Sequence, residues 1–462
     1  MFDRRRLPEA AVDVENVAST LRHLSCAASA GELVDQIASL ETLKAAAAAA
    51  QARLTEALDV TVRADRAAHG RPAAEQGRGI AAEVALARRE SPSQGGQHLG
   101  LATALVREMP HTLAALEQGR LSEWRATILV RETAVLSRED RAVVDAELCR
   151  DPRVLDGLGD RAVAAAAAKV AYRLDPHSVT ARASRAAQDR GVSLRPAPDV
   201  MSRLSALFPV TDGVATIAAL RQAADAARAA GDPRSRQQVM ADTLVERVTG
   251  RSRAEGVDVV VGLVMTDRAA FDGDPEPVLV RDHGPVPAPW ARDLLAGPGP
   301  RAEGAPAARV ARAWLRRLWT DPVTDELVAM ESKAHAFPPA LRGFLVHRDQ
   351  VCRTPWCDAP VRHADHVVRV SQGGPTSADN GQGLCESCNY TKELPGWSAG
   401  PAPGSRLGRH RVLTTTPTGR TYVSRPPPLP AARPPRVDAP APDVAQPSRL
   451  ETELAARFGH AA

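Results

Sequence analysis

The sequence predicts a mainly α-helical N-terminal region with a small α+β segment, followed by a small metal-held domain and a proline-rich disordered tail. Alanine supplies much of the apolar composition, while aromatic residues make up only 3% of the chain, and this combination favours helices over sheets. Four of the six cysteines lie between residues 352 and 388, which indicates a metal site. Nine of the 22 residues from 426 to 447 are proline, which is too many for a packed core.

Helical patterns fill the chain from residue 10 to about 190. Proline interrupts two of them, because it lacks an amide hydrogen and restricts the residue before it. We expect Gly119 to end one helix and Ser137 to begin another as its N-cap. The predicted helices are 33–59, 103–118 with a break at Pro110, and 161–187 with a break at Asp175-Pro176.

After residue 190 the pattern becomes a mixture of strands and helices. Alternating or β-branched runs predict strands at 191–195, 202–209 and 257–265, while the remaining periodic runs predict helices at 212–230, 235–249 and 338–347. A Gly/Pro/Ala-rich stretch at 297–309 is typical of a linker, and 314–327 is amphipathic. The predicted units are a helical domain (1–250), a strand-containing connector (251–334), the metal-held domain (335–398) and a tail (399–462).

Two parts of the tail differ from its proline-rich portion. His410 to Ser424 is expected to form a hairpin around the turn at Pro417 to Gly419, with threonine and valine on its arms. Residues 448–458 begin with a capping-box pattern and place leucine and phenylalanine on one helical face. That segment predicts either a frayed terminal helix or a helix that docks on this chain or on a protein partner.

The charge is concentrated in the tail. The chain has a formal net charge of +4, and the residues from Ala399 onward hold nine arginines and four acids, 9 − 4 = +5, which leaves −1 for the remainder. The composition therefore does not imply DNA binding by the whole surface. No apolar run approaches the roughly 20 residues of a membrane span, and the N-terminus lacks a signal-peptide pattern. We expect a cytoplasmic protein with no membrane association.

The cysteines suit a reducing compartment. Cys26 and Cys149 stand alone in helical surroundings and are expected to be buried free thiols. The other four, Cys352, Cys357, Cys385 and Cys388, form two close pairs separated by 27 residues. Such pairs bind one zinc ion tetrahedrally, and a closed four-thiolate site is structural. The alternatives are four unrelated thiols or a redox or iron–sulfur site, and no further cysteine supports the latter.

Polar residues between the cysteine pairs indicate a second site. Val361 to Arg369 predicts a strand, 371–380 a polar loop and 385–394 a helix. A neutral histidine can take a proton from water near pH 7. A hard divalent cation with oxygen ligands can neutralise the charge that develops on a phosphate. Residues of these types are present in this stretch as Asp365, His366, Asn380 and Asn389.

The motif resembles the zinc-ribbon subclass of the HNH endonuclease family, whose fold is the ββα-metal arrangement. The resemblance is carried by Asp365-His366, Gly373-Gly374, Thr376-Ser377, Asn380, Leu384-Cys385, Cys388-Asn389 and Lys392. It implies that His366 is the general base and that Asp365 and Asn389 hold Mg²⁺ or Mn²⁺. It also implies that Asn380 fixes the loop between the strands.

Two features of this site are open at the level of the sequence: the direction of the side chains along the strand, and the asparagine at position 389. Adjacent strand residues point to opposite faces, so Asp365 and His366 can share one phosphate only if the strand is irregular or ends there. His363 lies on the Asp365 face and is either a further ligand or a packing or surface histidine. Asn389 stands where the family name has histidine, a variant found among active members.

Cations surround the predicted site. Lys392 matches a family position and is either a phosphate contact or a solvated helix residue. Arg348 and Arg369 are further candidates for phosphate contacts, together with the flanking Arg353 and Arg362. Solvated arginines balanced by nearby acids are the alternative.

The N-terminal region resembles the helical domain of unknown function that often precedes an HNH domain. The matching segments are Met109-Pro110, 114–116, 119–121, 232–234, Gln238, 241–242 and Leu244, with Thr416 to Gly419 in the tail. The two resemblances imply a metal-dependent DNA endonuclease. Two alternatives remain: a non-catalytic zinc-stabilised adaptor with a degenerate HNH fold, and a helical interaction scaffold that carries the nuclease as an effector.

Overall fold

The computed structural model describes most of the 462-residue chain. The described residues are 9–27, 29–250, 263–266, 268–269, 273–280, 283–296, 331–332, 336–403 and 410–427. Three sequence predictions lie wholly outside these ranges: the linker at 297–309, the amphipathic segment at 314–327 and the terminal helix at 448–458. Two others lie largely outside them: the strand at 257–265 and the proline-rich disordered stretch at 426–447. Within the described ranges no helix is long and apolar enough to cross a membrane.

Helices dominate the N-terminal half, as the composition predicts. In chain order they are α1 (Glu9–Arg22), α2 (Ala30–Ala68), α3 (Ala73–Gln76), α4 (Ile80–Arg88), α5 (Pro92–Arg107), α6 (Pro110–Glu117), α7 (Glu123–Glu132), α8 (Arg138–Cys149), α9 (Asp160–Leu174), α10 (Pro176–Ala186), α11 (Val210–Ala229), α12 (Arg236–Thr249), α13 (Ala288–Ala296), α14 (Pro339–Asp349) and α15 (Glu386–Lys392).

The strands are short and fall into small sheets. They are β1 (Gly191–Ala197), β2 (Met201–Leu207), β3 (Leu263–Val264), β4 (Val278–Val280), β5 (Gly284–Val286), β6 (Glu331–Ser332), β7 (His363–His366), β8 (Thr376–Ser377), β9 (Gly381–Leu384), β10 (Ser398–Pro401), β11 (Val412–Thr415) and β12 (Thr421–Ser424). The described pairings are β1-β2, β3-β4-β5, β6-β8, β7-β9 and β10-β11-β12, all antiparallel.

The long helix α2 organises the helical domain. It begins one turn earlier and ends later than predicted, because Ser29 and Glu32 form a capping box at its start. Its alanine face is buried against α5 and α6. Small side chains on this face let the neighbouring helices approach closely, so the main core consists of alanine, leucine and valine side chains from α2 and from α5 to α9.

The predicted helix boundaries are confirmed at the proline and cap positions. Pro110 starts α6, and Asp175-Pro176 separates α9 from α10. Gly119 adopts φ 72°, the left-handed conformation of a helix stop, and Ser137 Oγ accepts a hydrogen bond from the amide of Asp140 at 3.0 Å. Local chain chemistry therefore fixes these ends.

A buried carboxylate links two helices of this core. Asp145 on α8 is 1% exposed and accepts hydrogen bonds from the amides of His111 and Thr112, at 2.8 and 2.7 Å, and from Thr112 Oγ1 at 2.6 Å. It thus caps the N-terminus of α6, which starts with proline and has no side-chain cap of its own.

Cys149, one turn further along α8, is buried as predicted, and burial raises its pKa to about 11. Cys26 is exposed, which corrects the prediction for that residue.

The C-terminal part contains the predicted strand–loop–helix order. β7 and β9 pair, β8 lies in the intervening loop, and α15 follows β9. The predicted hairpin at 410–424 is confirmed as β11 and β12, and β10 adds a third strand to it. This architecture agrees with the fold class predicted from the sequence.

Replacing Asp145 by Ala is expected to destabilise the helical domain by about 3 kcal/mol, because three buried donors lose their acceptor. The measurement is urea unfolding followed by far-UV circular dichroism. Glu147→Ala on the same helix is the matched control, since Glu147 makes an exposed ion pair with Arg173 whose loss costs under about 1 kcal/mol. Equal losses for the two variants would contradict this role of Asp145.

Candidate zinc centre and candidate active site

The four clustered cysteines converge on one point. All are buried, and their sulfur atoms lie within 4.8 Å of one another, with 3.7 Å between the Sγ atoms of Cys357 and Cys385. Four sulfurs at bonds of about 2.3 Å around a tetrahedral zinc stand about 3.8 Å apart. The cluster therefore fits a single structural zinc ion.

The charge requirement of the cluster also fits a metal. Hydrogen bonds with Cys352, Cys357 and Cys388 lower the pKa of Cys385, whereas hydrogen bonds with Cys352, Cys357 and Cys385 raise the pKa of Cys388. Four thiolates in one buried site repel one another, so they coexist only around a cation. Cys385 also caps α15, with its Sγ accepting the amide of Cys388 at 3.4 Å.

A buried ion network lies beneath the strands. Asp349, at the end of α14, is 0% exposed and accepts hydrogen bonds from Arg348 Nε at 2.8 Å, from Arg353 Nη1 at 3.0 Å and from the amide of Gly383 at 2.6 Å. Burial alone raises the pKa of Asp349, but the charges of the two arginines and the amide hydrogen bond hold it below its ordinary value. The network joins α14 to β9.

Arg348 also holds the turn before β9. Its guanidinium donates to the carbonyl oxygens of Ala378 and Gly381, both at 2.7 Å. His410 Nε2 lies 3.0 Å from the carbonyl oxygen of Asp379 in the same turn. Asn380 therefore lies between Asp379 and Gly381, whose backbone carbonyl oxygens are both hydrogen-bonded.

Asn380 fixes the loop after β7. Its Oδ1 accepts the amide of Val368 at 2.8 Å, and its Nδ2 donates to the carbonyls of Val368 at 2.9 Å and Pro375 at 2.8 Å. Val368 is thereby diverted from strand pairing, so β7 ends at His366 and not at the predicted Arg369. A Cβ at Gly374 would lie 1.9 Å from the carbonyl oxygen of Val368, which explains why glycine is needed there.

The strand β7 keeps its alternation up to its end. His363 and Asp365 face α15, whereas Ala364 packs into the cluster around α14 and His366 lies against Phe337 on that side. The centroids of the His366 and Phe337 rings are 4.4 Å apart. Asp365 and His366 thus lie on opposite faces of β7, and His366 is its last residue.

His366 is held by a hydroxyl that the motif contained but to which sequence reasoning assigned no role. Its Nε2 lies 2.9 Å from Oγ1 of Thr376, which is 6% exposed on β8. When Nε2 carries the hydrogen and donates it to this oxygen, Nδ1 is the basic nitrogen. The ring is therefore oriented from two sides, by Thr376 and by Phe337.

Asp365 forms an ion pair with Lys392, which the sequence predicted to be a phosphate contact or a solvated helix residue. Lys392 Nζ lies 2.5 Å from Asp365 Oδ2, 2.6 Å from the carbonyl oxygen of His366 and 3.2 Å from Glu393 Oε1. Gln382 Nε2 donates to the same Asp365 Oδ2 at 3.2 Å. Among the described residues no group bonds Oδ1, and the Asp365 side chain is 18% exposed, so one carboxylate oxygen remains for a cation.

Two of the expected phosphate contacts are buried. Lys392 and Arg348 are 7% and 3% exposed, and their donors are bonded inside the domain, so neither is a solvated residue. Arg369 is partly exposed, with Nε 2.9 Å from Glu393 and Nη2 donating to the carbonyl of Lys392 at 2.9 Å. It fastens the end of α15.

Asn389 lies on the face of α15 that meets β7. It precedes Lys392 by three residues, and residues at this spacing share a helix face. Its side chain is partly exposed, and the described residues provide it with no side-chain hydrogen bond. His363 stacks near Tyr390 on the same helix, with 6.2 Å between ring centroids.

The helical domain contacts this domain through α4. A Cβ at Gly79, where φ is 84°, would lie 2.9 Å from Trp397 Nε1. Thr418 Oγ1, in the turn between β11 and β12, donates to the buried Glu83 at 2.5 Å. Gly396 packs on Pro417 in the same turn. The β10–β12 sheet therefore links the helical domain to the candidate site.

We expect one zinc per chain in protein purified without chelator. Cys385→Ser removes a zinc ligand but leaves a residue that can still cap α15. Zinc content and thermal stability should both fall, since binding of a structural zinc contributes to folding. Elemental analysis and a thermal melt measure the two effects. Cys26→Ser is the matched control and should keep its zinc; a wild type without zinc would refute the assignment.

His410 should make stability depend on pH. Its burial, with the charges of Arg348 and Arg353, lowers its pKa from 6.5 to about 3. Below pH 6.5 the unfolded chain therefore binds a proton at His410 that the folded chain does not bind. As a result, the free energy of unfolding falls as the pH drops from 6.5 towards 3. Between pH 7 and 5 wild type should lose about 2 kcal/mol more than His410→Gln, measured by urea unfolding. Parallel pH profiles would exclude this effect.

Comparison with known proteins agrees with the motifs. Residues 37–349 match the family described as a domain of unknown function, DUF222, and residues 350–393 match the HNH endonuclease family. The uncharacterized protein Rv3776 of Mycobacterium tuberculosis (strain ATCC 25618 / H37Rv) is 27% identical over 392 residues, 75% of this chain and 70% of that protein. No solved structure matches the chain. Because the first match spans about two thirds of the sequence, the chain belongs to the DUF222 family, and it carries an HNH endonuclease domain directly after that region.

Proposed function

We propose that the protein is a metal-dependent endonuclease that hydrolyses DNA phosphodiester bonds. The observation that carries this proposal is the position of Asp365 and His366 at the end of β7, in a domain that matches HNH endonucleases. The end of the strand is where side chains of opposite faces can reach one phosphate. Asn380 sets that end through its bonds to Val368.

His366 acts as the general base in this proposal. With Nε2–H donated to Thr376, Nδ1 takes a proton from the attacking water. The contact with Phe337 limits rotation of the ring. A neutral imidazole can accept a proton from water near pH 7.

Asp365 and Asn389 would hold a divalent cation, Mg²⁺ or Mn²⁺. One carboxylate oxygen and one amide oxygen fit a hard ion that also takes water and phosphate oxygens. Such an ion, when bound, neutralises charge on the phosphate and the leaving oxygen. Gln382 and Lys392 orient the carboxylate from the other oxygen.

A non-catalytic, zinc-stabilised adaptor is the second candidate. The ion pair between Lys392 and Asp365 favours it, because an ammonium already compensates the carboxylate that would hold the cation. An adaptor binds DNA or protein without Mg²⁺ and does not need His366.

Plasmid nicking separates the two candidates. Wild type with Mg²⁺ or Mn²⁺ should convert supercoiled DNA to the nicked or linear form, and His366→Ala should lower the rate at least about 100-fold, the usual contribution of a general base. His363→Ala, three residues earlier on β7, is the matched control and should stay active. If wild type and His366→Ala are equally inert across several metals and DNA substrates, or nick equally, the endonuclease proposal fails.

A further inference from the structure

DNA binding needs cations at the surface, and the burial of Arg348 and Lys392 removes two of those expected beside the site. We propose that a basic cleft between the helical domain and the HNH domain binds the DNA backbone through its phosphates. We define the basic cleft by its lining residues: Asp65, Arg66, His69, Arg71, Glu75, Arg78, Leu394, Pro395 and Gly396.

The cleft adjoins the candidate active site. Its volume is about 360 Å³, and one wall is formed by Leu394 to Gly396, which directly follow α15. The opposite wall is the end of α2 and the loop from Gly70 to Gly79. Asn389 lies on α15. A DNA backbone that runs from Asn389 along this helix towards its C-terminal end therefore reaches the cleft.

The loop that forms the cleft is held by internal hydrogen bonds. Arg66 Nη1 donates to the carbonyls of Gln76 at 2.8 Å and Arg78 at 2.7 Å, and Gln76 Nε2 donates to the carbonyl of Arg71 at 2.9 Å. Gly79 rests on Trp397 at the end of the loop. These bonds hold the backbone of the loop in place. The side chains of Arg71 and Arg78 are exposed to solvent. A preorganised site loses less conformational freedom on binding.

The charges of the cleft suit a phosphate. Arg71, Arg78 and His69 are exposed. Arg71 lies 3.8 Å from Glu75. His69 Nδ1 lies 3.5 Å from the carboxylate of Asp65 and 2.8 Å from its backbone carbonyl oxygen. No acid within the described ranges pairs with Arg78. Exposed pairs of this kind are weak, and an arginine forms stronger, bidentate bonds with phosphate. The lining has three arginines against two carboxylates, a net charge of +1 before His69 is protonated.

This inference rests on the proposed function, since DNA is the substrate there. The test uses the full-length zinc-loaded chain, without added Mg²⁺, and a fluorescent 30-base-pair DNA duplex followed by anisotropy at several KCl concentrations. Arg71→Ala/Arg78→Ala should bind roughly tenfold more weakly at moderate salt. Its plot of log affinity against log salt should be shallower by about 1.8, or 0.9 for each lost phosphate contact.

Arg120→Ala/Arg153→Ala is the matched control. It removes the same charge from exposed positions of the helical domain, and Gly119 contacts α2 at Thr42, about 36 Å along the helix from Arg66. This variant should bind like wild type. Unchanged zinc content and circular dichroism of Arg71→Ala/Arg78→Ala show that it folds, as expected for exposed side chains.

The outcomes separate the cleft from the enzyme. Equal affinity and equal salt slope for wild type and Arg71→Ala/Arg78→Ala overturn the cleft, as does a wild type that binds no duplex. Equal weakening by the two double variants also overturns it, because the effect would then be one of net charge. A wild type whose duplex binding depends on the two arginines but which never nicks plasmid refutes the endonuclease and supports the cleft.

Discussion

The buried carboxylate of Asp349 is the interaction on which the C-terminal domain depends. Two arginine charges and one backbone amide converge on it, and through Arg348 the same group reaches both sides of the turn that contains Asn380. Asn380 in turn ends β7 at the position of the proposed base. Removing one member of such a buried ionic group leaves an uncompensated charge, which costs about 3–5 kcal/mol. The candidate site is thus positioned by the buried ionic group beneath it, with the four-cysteine cluster at the opposite end of β9.

The sequence revealed the residue types of the site better than their contacts. Cysteine spacing predicted the cluster, and proline, glycine and serine predicted helix ends at Pro110, Gly119 and Ser137, because these signals are local. The burial of Lys392 could not be predicted, because its position on a polar helix says nothing about the carboxylate opposite it on β7. The burial of Arg348 could not be predicted either, because the tertiary fold brings its backbone carbonyl acceptors near. Thr376 gave no signal beyond its place in the motif.

The arrangement around Asp365 balances two demands. In the proposed reaction a free carboxylate beside a phosphate would repel the substrate, and Lys392 would offset that charge. Its Nζ also bonds the carbonyl of His366, so the lysine couples Asp365 and His366 from the helix side. Asn389 and Lys392 share a face of α15, so a small rotation of this seven-residue helix would move both relative to β7.

The boundary between the two sequence families has a consequence for dissecting the protein. The match to DUF222 ends at residue 349 and the HNH match begins at residue 350, yet Asp349 is the acceptor that Arg353 and Gly383 require. A fragment cut at that border would keep the buried guanidinium of Arg353 and discard its counter-ion, together with α14, which packs near Ala364, and Phe337, which contacts His366. Units of inheritance and units of folding differ here by one helix, so exchange of this nuclease domain between relatives must carry α14 with it.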